Sequence, residues 1–498
     1  EFLPNSSDES TRCQLTLRNF FPQIFFGCTV HLIVIQAGIN MAYGTILHDG
    51  LKKDFFLSVD EISWIASLVT ISLPLGSIIA GPLMDMYGRK KICIASCIPS
   101  LLSWIILIRA PSLDLIYTAR IVSGISGGLS TVGLVYISEI AHPQIRPMLL
   151  CFNSIFVSFG ILITYCFGVW LTWKQMAIFF MILNIFIIFL LLFIPESPYW
   201  IMCFNNIDLN EKLNILENVL RRLNKSKDMY EQEYKRIIEA TRSHKRNYKG
   251  NNNLSAKCLN FFKQLLLPTV YKPTLILFIL FLLQQLTGIY IIVFYALSVF
   301  ESMEKLGKIN KYGAVVILGF IRFFMSIITS FCSKKFGRRA LCLASTLGMA
   351  ISMFFSAMYV FLISFYNKNE IVTEVIAKQK WFPLINVFFY MCSSCFGFVI
   401  IPWTLIGEIL PIFVRGIISG AMVSIAYLMM FGMIKGFPYL EIRLGMHNLF
   451  LFFSITSFIS AAFVYIFVPE TLGKSFLDIE KHFKNSQRSK MPSVTADS

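Results

Sequence analysis

The chain has 498 residues, 56% of them hydrophobic and 15% aromatic, with a mean hydropathy of +0.67. A water-facing surface has no room for that much apolar side chain, so composition excludes an ordinary soluble enzyme. Charged residues are only 14% of the chain, with a formal net charge of +16, and they cluster between apolar runs of about 20 residues, the length a helix needs to cross about 30 Å of hydrocarbon.

The expected fold is all-α and membrane-integral. A polar N-terminal segment, 1–23, precedes runs at 24–46, 62–83, 92–109, 113–138, 148–171 and 175–194. A polar linker, 195–273, separates these from runs at 274–300, 312–332, 340–365, 381–406, 416–437 and 447–468, and a polar tail follows from 469. That is twelve transmembrane spans in two six-helix bundles. Most Lys and Arg outside the spans lie on the side of both termini and the linker, which predicts that side to be cytosolic. Arg120 and Arg322 are the Lys and Arg residues inside spans away from their ends. The positive charge is therefore a topology signal, and no nucleic-acid motif accompanies it. Residues 1–18 are polar and the first run is long enough to stay in the bilayer, so no cleavable signal peptide is expected. The Asn5-Ser6-Ser7 glycosylation pattern would lie on the cytosolic side.

In the linker, Leu209, Leu213, Leu216, Leu220 and Leu223 recur at helical spacing behind Asp208, an N-cap residue type, and Tyr230, Tyr234, Ile237 and Ile238 repeat the period. These predict two or three short amphipathic helices against the cytosolic face, with Arg221, Arg222, Lys225 and Lys227 turned to water or headgroups. Residues 485–498 are polar enough to be disordered. Most of the cysteines fall in spans or on the cytosolic side, which predicts no disulfide framework. Cys392 and Cys395 have redox spacing but lie within an apolar run and read as packing.

Three charged motifs recur in order in each half. Gly88-Arg89-Lys90 returns as Gly337-Arg338-Arg339, Glu139 and Arg146 as Glu408 and Arg415, and Pro195-Glu196-Ser197 as Pro469-Glu470-Thr471. Parallel halves joined by a long loop are the organisation of a major facilitator transporter, with cargo held between the halves near the midplane. Asp85, Arg89, Glu139, Arg146, Glu196, Arg338, Arg339, Glu408, Arg415 and Glu470 all lie at span ends on one side. They are the candidate cytosolic gate, able to tie the bundles together when the cavity opens outward, each partly exposed pair contributing about 1 kcal/mol or less.

A family resemblance rests on Gly81 to Lys91, Arg120 with Gly124 and Gly128, Tyr136 with Glu139, Pro195-Glu196-Ser197-Pro198, Gln284-Gln285-Leu286-Thr287-Gly288, Pro402-Trp403, Arg415-Gly416 and Pro469 to Gly473. From about residue 30 to 483 the chain resembles the sugar porters. Within them, Trp381-x-Pro383 and Gly407 to Pro411 are similar to insect facilitated trehalose transporters. The resemblance implies that Gln284 and Gln285 hold cargo hydroxyls, for which an amide offers donors and acceptors, and that Trp403 lays its face against a sugar ring.

The chain also departs from the family pattern. Tyr290 stands where an asparagine is usual, Tyr165 where many members carry a glutamine, and Arg322 where a polar amide is usual; these three join the candidate cargo residues. Phe398 to Ile401 replace a Gly-Pro-rich hinge, Lys334 an acidic residue and Tyr199 an Arg. A guanidinium in mid-span costs about 2.5–3.5 kcal/mol to insert, so Arg322 should face the cavity and donate to cargo or to Tyr290. Proton-driven relatives carry an Asp where this chain has Asn40, which also joins the candidate cargo residues, and an amide cannot titrate. The expected function is uniport of a sugar, trehalose or a hexose, across the plasma membrane by a monomer with both termini cytosolic. The alternatives are carriage of another small solute, an anion included, and a non-transporting sugar sensor. Gly473-Lys474-Ser475 ends like a phosphate loop, but Val468 stands where its first glycine is needed, so no ATP is expected. No catalytic residue, metal site or cofactor is expected.

Overall fold

Hydrocarbon offers the backbone no hydrogen-bond partners, so apolar runs of this length close their bonds internally as helices. The computed structural model describes residues 19–54, 57–204, 208–248, 265–304, 310–366 and 381–472, with 481 and 483, and these contain no strand. The tail at 485–498, Asn5, the Gly473 to Ser475 segment and the side chains of Lys334 and Arg415 lie outside the described residues. In the first half, α1 (Phe21–Asp54), α2 (Val59–Tyr87), α3 (Arg89–Arg109), α6 (Arg146–Phe167) and α7 (Trp173–Leu191) are single helices, and one span is divided into α4 (Leu113–Leu129) and α5 (Val132–Ile140). The linker forms α8 (Pro198–Cys203), α9 (Leu209–Leu223) and α10 (Lys227–Tyr248). The second half comprises α11 (Pro268–Leu286), α12 (Ile289–Phe294), α13 (Ala296–Glu304), α14 (Lys311–Lys335), α15 (Arg338–Tyr366), α16 (Trp381–Phe396), α17 (Ile401–Ile409) and α18 (Ile412–Phe467).

The sequence predicts separate spans at 416–437 and 447–468, whereas α18 runs through both as 56 residues. At 1.5 Å per residue, a straight helix of that length would reach about 84 Å, far beyond one bilayer. Gly445, at φ 73 and ψ 160, breaks the helical path and divides it into two crossings. Among the described residues, eleven helical stretches are long and apolar enough to span a membrane, α4 with α5 and α16 with α17 each counting as one; α18 is the doubled one, which gives twelve crossings. Ile182, Phe186, Phe189 and Phe193 stand half exposed along one helical stripe, a lipid-facing surface.

Small residues let the helices touch backbone to backbone. A Cβ on Gly124 or Gly128 would lie 2.4 Å from Val69 O or 2.1 Å from Leu73 O, so these glycines are what seat α4 on α2. Fully buried Arg120 ties the first half further: its Nε donates to Ile65 O at 3.0 Å, and both Nη atoms donate to Asn40 O at 3.2 Å. The linker helices form around Leu216, Leu220, Met202 and Ile237, while Leu209, at the start of the stripe, is exposed. Asp208 occupies the N-cap position without a side-chain bond to the helix. The linker docks on the first half through Gln23 Nε2, which donates to Asn224 Oδ1 at 2.9 Å, and Arg222, which donates to Phe193 O at 2.7 Å. The two halves meet lengthwise where α2 packs on α18 and α6 on α14.

Candidate functional site

Three spans that the sequence reads as continuous are interrupted at depth, at Ser130-Thr131, at Thr287-Gly288 and over Gly397–Ile400. Backbone freed in hydrocarbon must find partners in protein or line a cavity. At the third break, Gln284 Nε2 donates to Phe398 O at 2.6 Å and Phe398 N donates to Ser345 Oγ at 3.0 Å. At the second, Tyr390 Oη donates to Thr287 O at 2.6 Å, and Gly288 adopts φ 82, a region open to glycine. The first break opens on a cavity of about 90 Å³, lined by Asn40, Thr70, Ser123, Ser130, Thr131 and Asn153 from the first half and by Phe294 and Tyr427 from the second.

Of the predicted cargo residues, Asn40 lines this cavity; Gln284, Gln285, Tyr290, Tyr165 and Arg322 are buried and, like Trp403, are not among its lining residues. Trp403 connects them to it. Its ring packs 5.5 Å from cavity-lining Tyr427 and 5.0 Å from Phe281, and its Nε1 donates to Tyr290 Oη at 3.3 Å. Gln284 has one amide atom committed to Phe398, and its Oε1 is buried without a partner among the described residues. Gln285 is buried with neither amide atom partnered among the described residues. The Tyr165 hydroxyl donates across the bundles to Val293 O at 2.9 Å. Arg322 is 4% exposed, with Nε and Nη1 unpartnered among the described residues. The lining polar residues Thr70, Ser123, Ser130, Thr131 and Asn153 escaped the sequence reading. Their signal was present, since polar groups inside apolar runs mark pathways, but hydroxyls that can bond their own helix carry that signal faintly.

At the linker end, each half builds the same network. Glu196 Oε1 accepts from the backbone amides of Arg89 and Lys90 at 2.9 and 3.0 Å, capping α3 with a carboxylate where the helix dipole favours one. Glu470 caps α15 likewise through Arg338 N at 2.9 Å and Arg339 N at 3.2 Å. The repeated glycines make room: a Cβ on Gly88 would lie 2.5 Å, and on Gly337 2.1 Å, from those carboxylates. The Arg89 side chain, 4% exposed, pairs with Glu139 at 3.0 Å and Asp85 at 3.2 Å, and Arg338 pairs with Glu408 at 3.0 Å. Ser197 and Thr471 donate their hydroxyls to Glu139 and Glu408. Arg339 stacks over Tyr465 at 5.0 Å. Arg146 turns away from Glu139, donating to Ala141 O at 3.1 Å. Between α5 and α6, burial lowers the His142 imidazole below its ordinary value, opposed by Glu233 of the linker and reinforced by Arg236 and Arg146.

Among the described residues, the ion pairs that join the halves lie at the opposite end. Lys311 Nζ sits 2.9 Å from Asp49 Oδ1, and Tyr312 Oη donates to Asp49 Oδ2 at 2.6 Å. Lys435 Nζ lies 2.5 Å from Asp60 Oδ1, 2.8 Å from Ser63 Oγ and 4.0 Å above the Trp64 ring, and Tyr439 Oη donates to Asp60 at 2.7 Å. None of these four charges belongs to a repeated motif, so no sequence signal pairs them.

The sequence profile of the family described as "Sugar (and other) transporter" matches residues 7–483. The facilitated trehalose transporter Tret1 of Culex quinquefasciatus is 27% identical over 466 residues, covering 93% of this chain and 86% of its own length. That of Bombyx mori is 27% identical over 486 residues, covering 97% and 91%. The inward open conformation of the xylose transporter XylE from E. coli shares the fold, with a TM-score of 0.71 at 21% identity over 92% of this chain and 99% of that one. The human organic anion transporter MFSD10 shares it more distantly, with a TM-score of 0.53 at 13% identity over 90% and 99%.

Proposed function

The chain belongs to the sugar (and other) transporter family, and from that membership we propose that it carries a sugar, trehalose or a hexose, down its gradient by alternating access and without ion coupling. The observation that carries the mechanism is the asymmetry between the two ends. At one end, Asp49 with Lys311 and Asp60 with Lys435 clasp the halves together. At the other, the Arg89–Glu139 and Arg338–Glu408 networks each stay within one half. That is the arrangement expected of a carrier closed on the clasped side. Rocking the halves breaks the clasps and brings the linker-end networks together as the gate, with the linker in the cytosol and the clasps outside the plasma membrane. The Arg338–Glu408 pair, partly exposed and worth about 1 kcal/mol, suits such a gate, because it has to open thermally.

Cargo enters the space between Asn40, Ser123 and Asn153 on one side and Tyr427 on the other. The Trp403 and Tyr290 platform packs behind Tyr427, and Gln284 and Gln285 offer their unpartnered amide atoms. Asn40 lines that space as an amide, leaving no carboxylate there to carry a proton. The test is uptake of labelled trehalose, glucose and xylose into proteoliposomes, with and without a protonophore. Saturable uptake of one or more sugars, indifferent to the protonophore, is expected. Uptake abolished by it would refute uniport, and binding without flux would make the chain a sensor.

A further inference from the structure

Arg322 sits at the centre of its span, eleven residues from Lys311 and from Ser333. A cation there is costly unless something neutralises it or it reaches water. It is 4% exposed, its Nε and Nη1 have no partner among the described residues, and no ion pair to it is seen. The titratable groups that feel its charge are Tyr165, Tyr290 and Cys395, none of them an acid at neutral pH. Its place on α14 is the face that meets the first half. One turn before it, a Cβ on Gly319 would lie 3.1 Å from the Tyr165 ring, and one turn after it Ser326 hydrogen-bonds Ser158 at 2.7 Å. Arg322 therefore lies on the surface along which the bundles move, beside Tyr290 of the Trp403 platform. Gln285, also buried with both amide atoms unpartnered, adds donors on the preceding span.

We infer that Arg322 is an anion subsite in the central chamber, and that the preferred cargo is a sugar acid, a polyol carrying one carboxylate. This rests on reading the chain as a sugar carrier. A carboxylate matches the planar guanidinium two bonds to two and cancels its single charge. A phosphate dianion would leave one negative charge uncompensated in a site of low dielectric, where unpaired charge is penalised. The hydroxyls of the same cargo take the amide atoms of Gln284 and Gln285.

The experiment is uptake of labelled glucuronate, glucose and glucose 6-phosphate by the full chain in proteoliposomes, for wild type, Arg322→Gln and Arg322→Lys. The expected result is saturable glucuronate uptake that exceeds glucose 6-phosphate uptake. In Arg322→Gln, the ratio of glucuronate to glucose uptake should fall about ten- to a hundredfold, with Arg322→Lys intermediate. Glucose uptake without glucuronate uptake in wild type would overturn the inference and leave the sugar-carrier reading standing, as would a glucuronate to glucose ratio that Arg322→Gln leaves unchanged. Preference for glucose 6-phosphate would overturn the assignment to a carboxylate, and movement of no sugar of any kind would overturn the carrier reading and the inference with it. A measurement that needs no variant is protection of the purified wild type against thermal unfolding. Glucuronate should raise the melting temperature more than glucose does, and an equal or absent shift counts against the subsite.

Discussion

Replacing Asp49 with Asn removes one charge from the clasp at the end away from the linker and leaves its shape. The Asp49 side chain is 11% exposed and that of Lys311 20%, with Nζ and Oδ1 2.9 Å apart and Tyr312 Oη 2.6 Å from the second oxygen. A hydrogen bond to a charged group is worth about 1.5–3 kcal/mol when buried. The lower end applies here, because the lysine is partly solvated and Glu301, 3.9 Å from its Nζ, stays available. Asn also keeps an acceptor for Tyr312. The expected loss is about 1.5 kcal/mol from the clasped state alone, a shift of about tenfold toward the state open on that side. Double electron–electron resonance between spin labels at Pro111→Cys and Ile442→Cys, on opposite halves at that end, reads the two populations directly. The long-distance population should grow in Asp49→Asn. An unchanged distance distribution would refute the view that this pair holds the halves shut.

Arg89→Ala leaves the largely buried Glu139 carboxylate without its cation, the Ser197 hydroxyl remaining, and should cost about 3 kcal/mol of stability, whereas Arg89→Ala with Glu139→Gln should recover at least 1 kcal/mol of it; thermal unfolding in detergent measures both. Gly288→Ala imposes a left-handed conformation on a residue with a Cβ and sets that atom 2.9 Å from the Phe453 ring, so a loss of at least about 1–2 kcal/mol is expected in the same assay. Asn40→Asp places a titratable group in the cavity, where burial raises its pKa and the Arg120 guanidinium lowers it, and sugar uptake that is flat with pH in the wild type should become pH-dependent; a flat profile in the variant would contradict the cavity placement of this side chain.

The repeated charge motifs could be read before any coordinates because each is local: a glycine, an arginine and a Pro-Glu pair at a helix end have fixed helical geometry. What escaped that reading is the division of labour. Glu196 and Glu470 serve as helix caps, and the arginine side chains turn to Glu139 and Glu408. A carboxylate has two oxygens, and sequence does not say which neighbour takes them. Gln284 likewise reads as a cargo amide, yet half of it supports the broken backbone at Phe398, a need that arises only once α16 and α17 are found to be separate.

Hydropathy, span length and charge bias were sufficient for a twelve-span membrane chain in two related halves, because each is a property of short segments meeting a uniform solvent, the bilayer. Which end is shut, which hydroxyls line the chamber and whether Arg322 meets a counter-charge depend on pairs such as Asp49 and Lys311, 262 residues apart. Energies of that kind arise only when two distant helices are brought to hydrogen-bond distance, so folding settled them and composition could not.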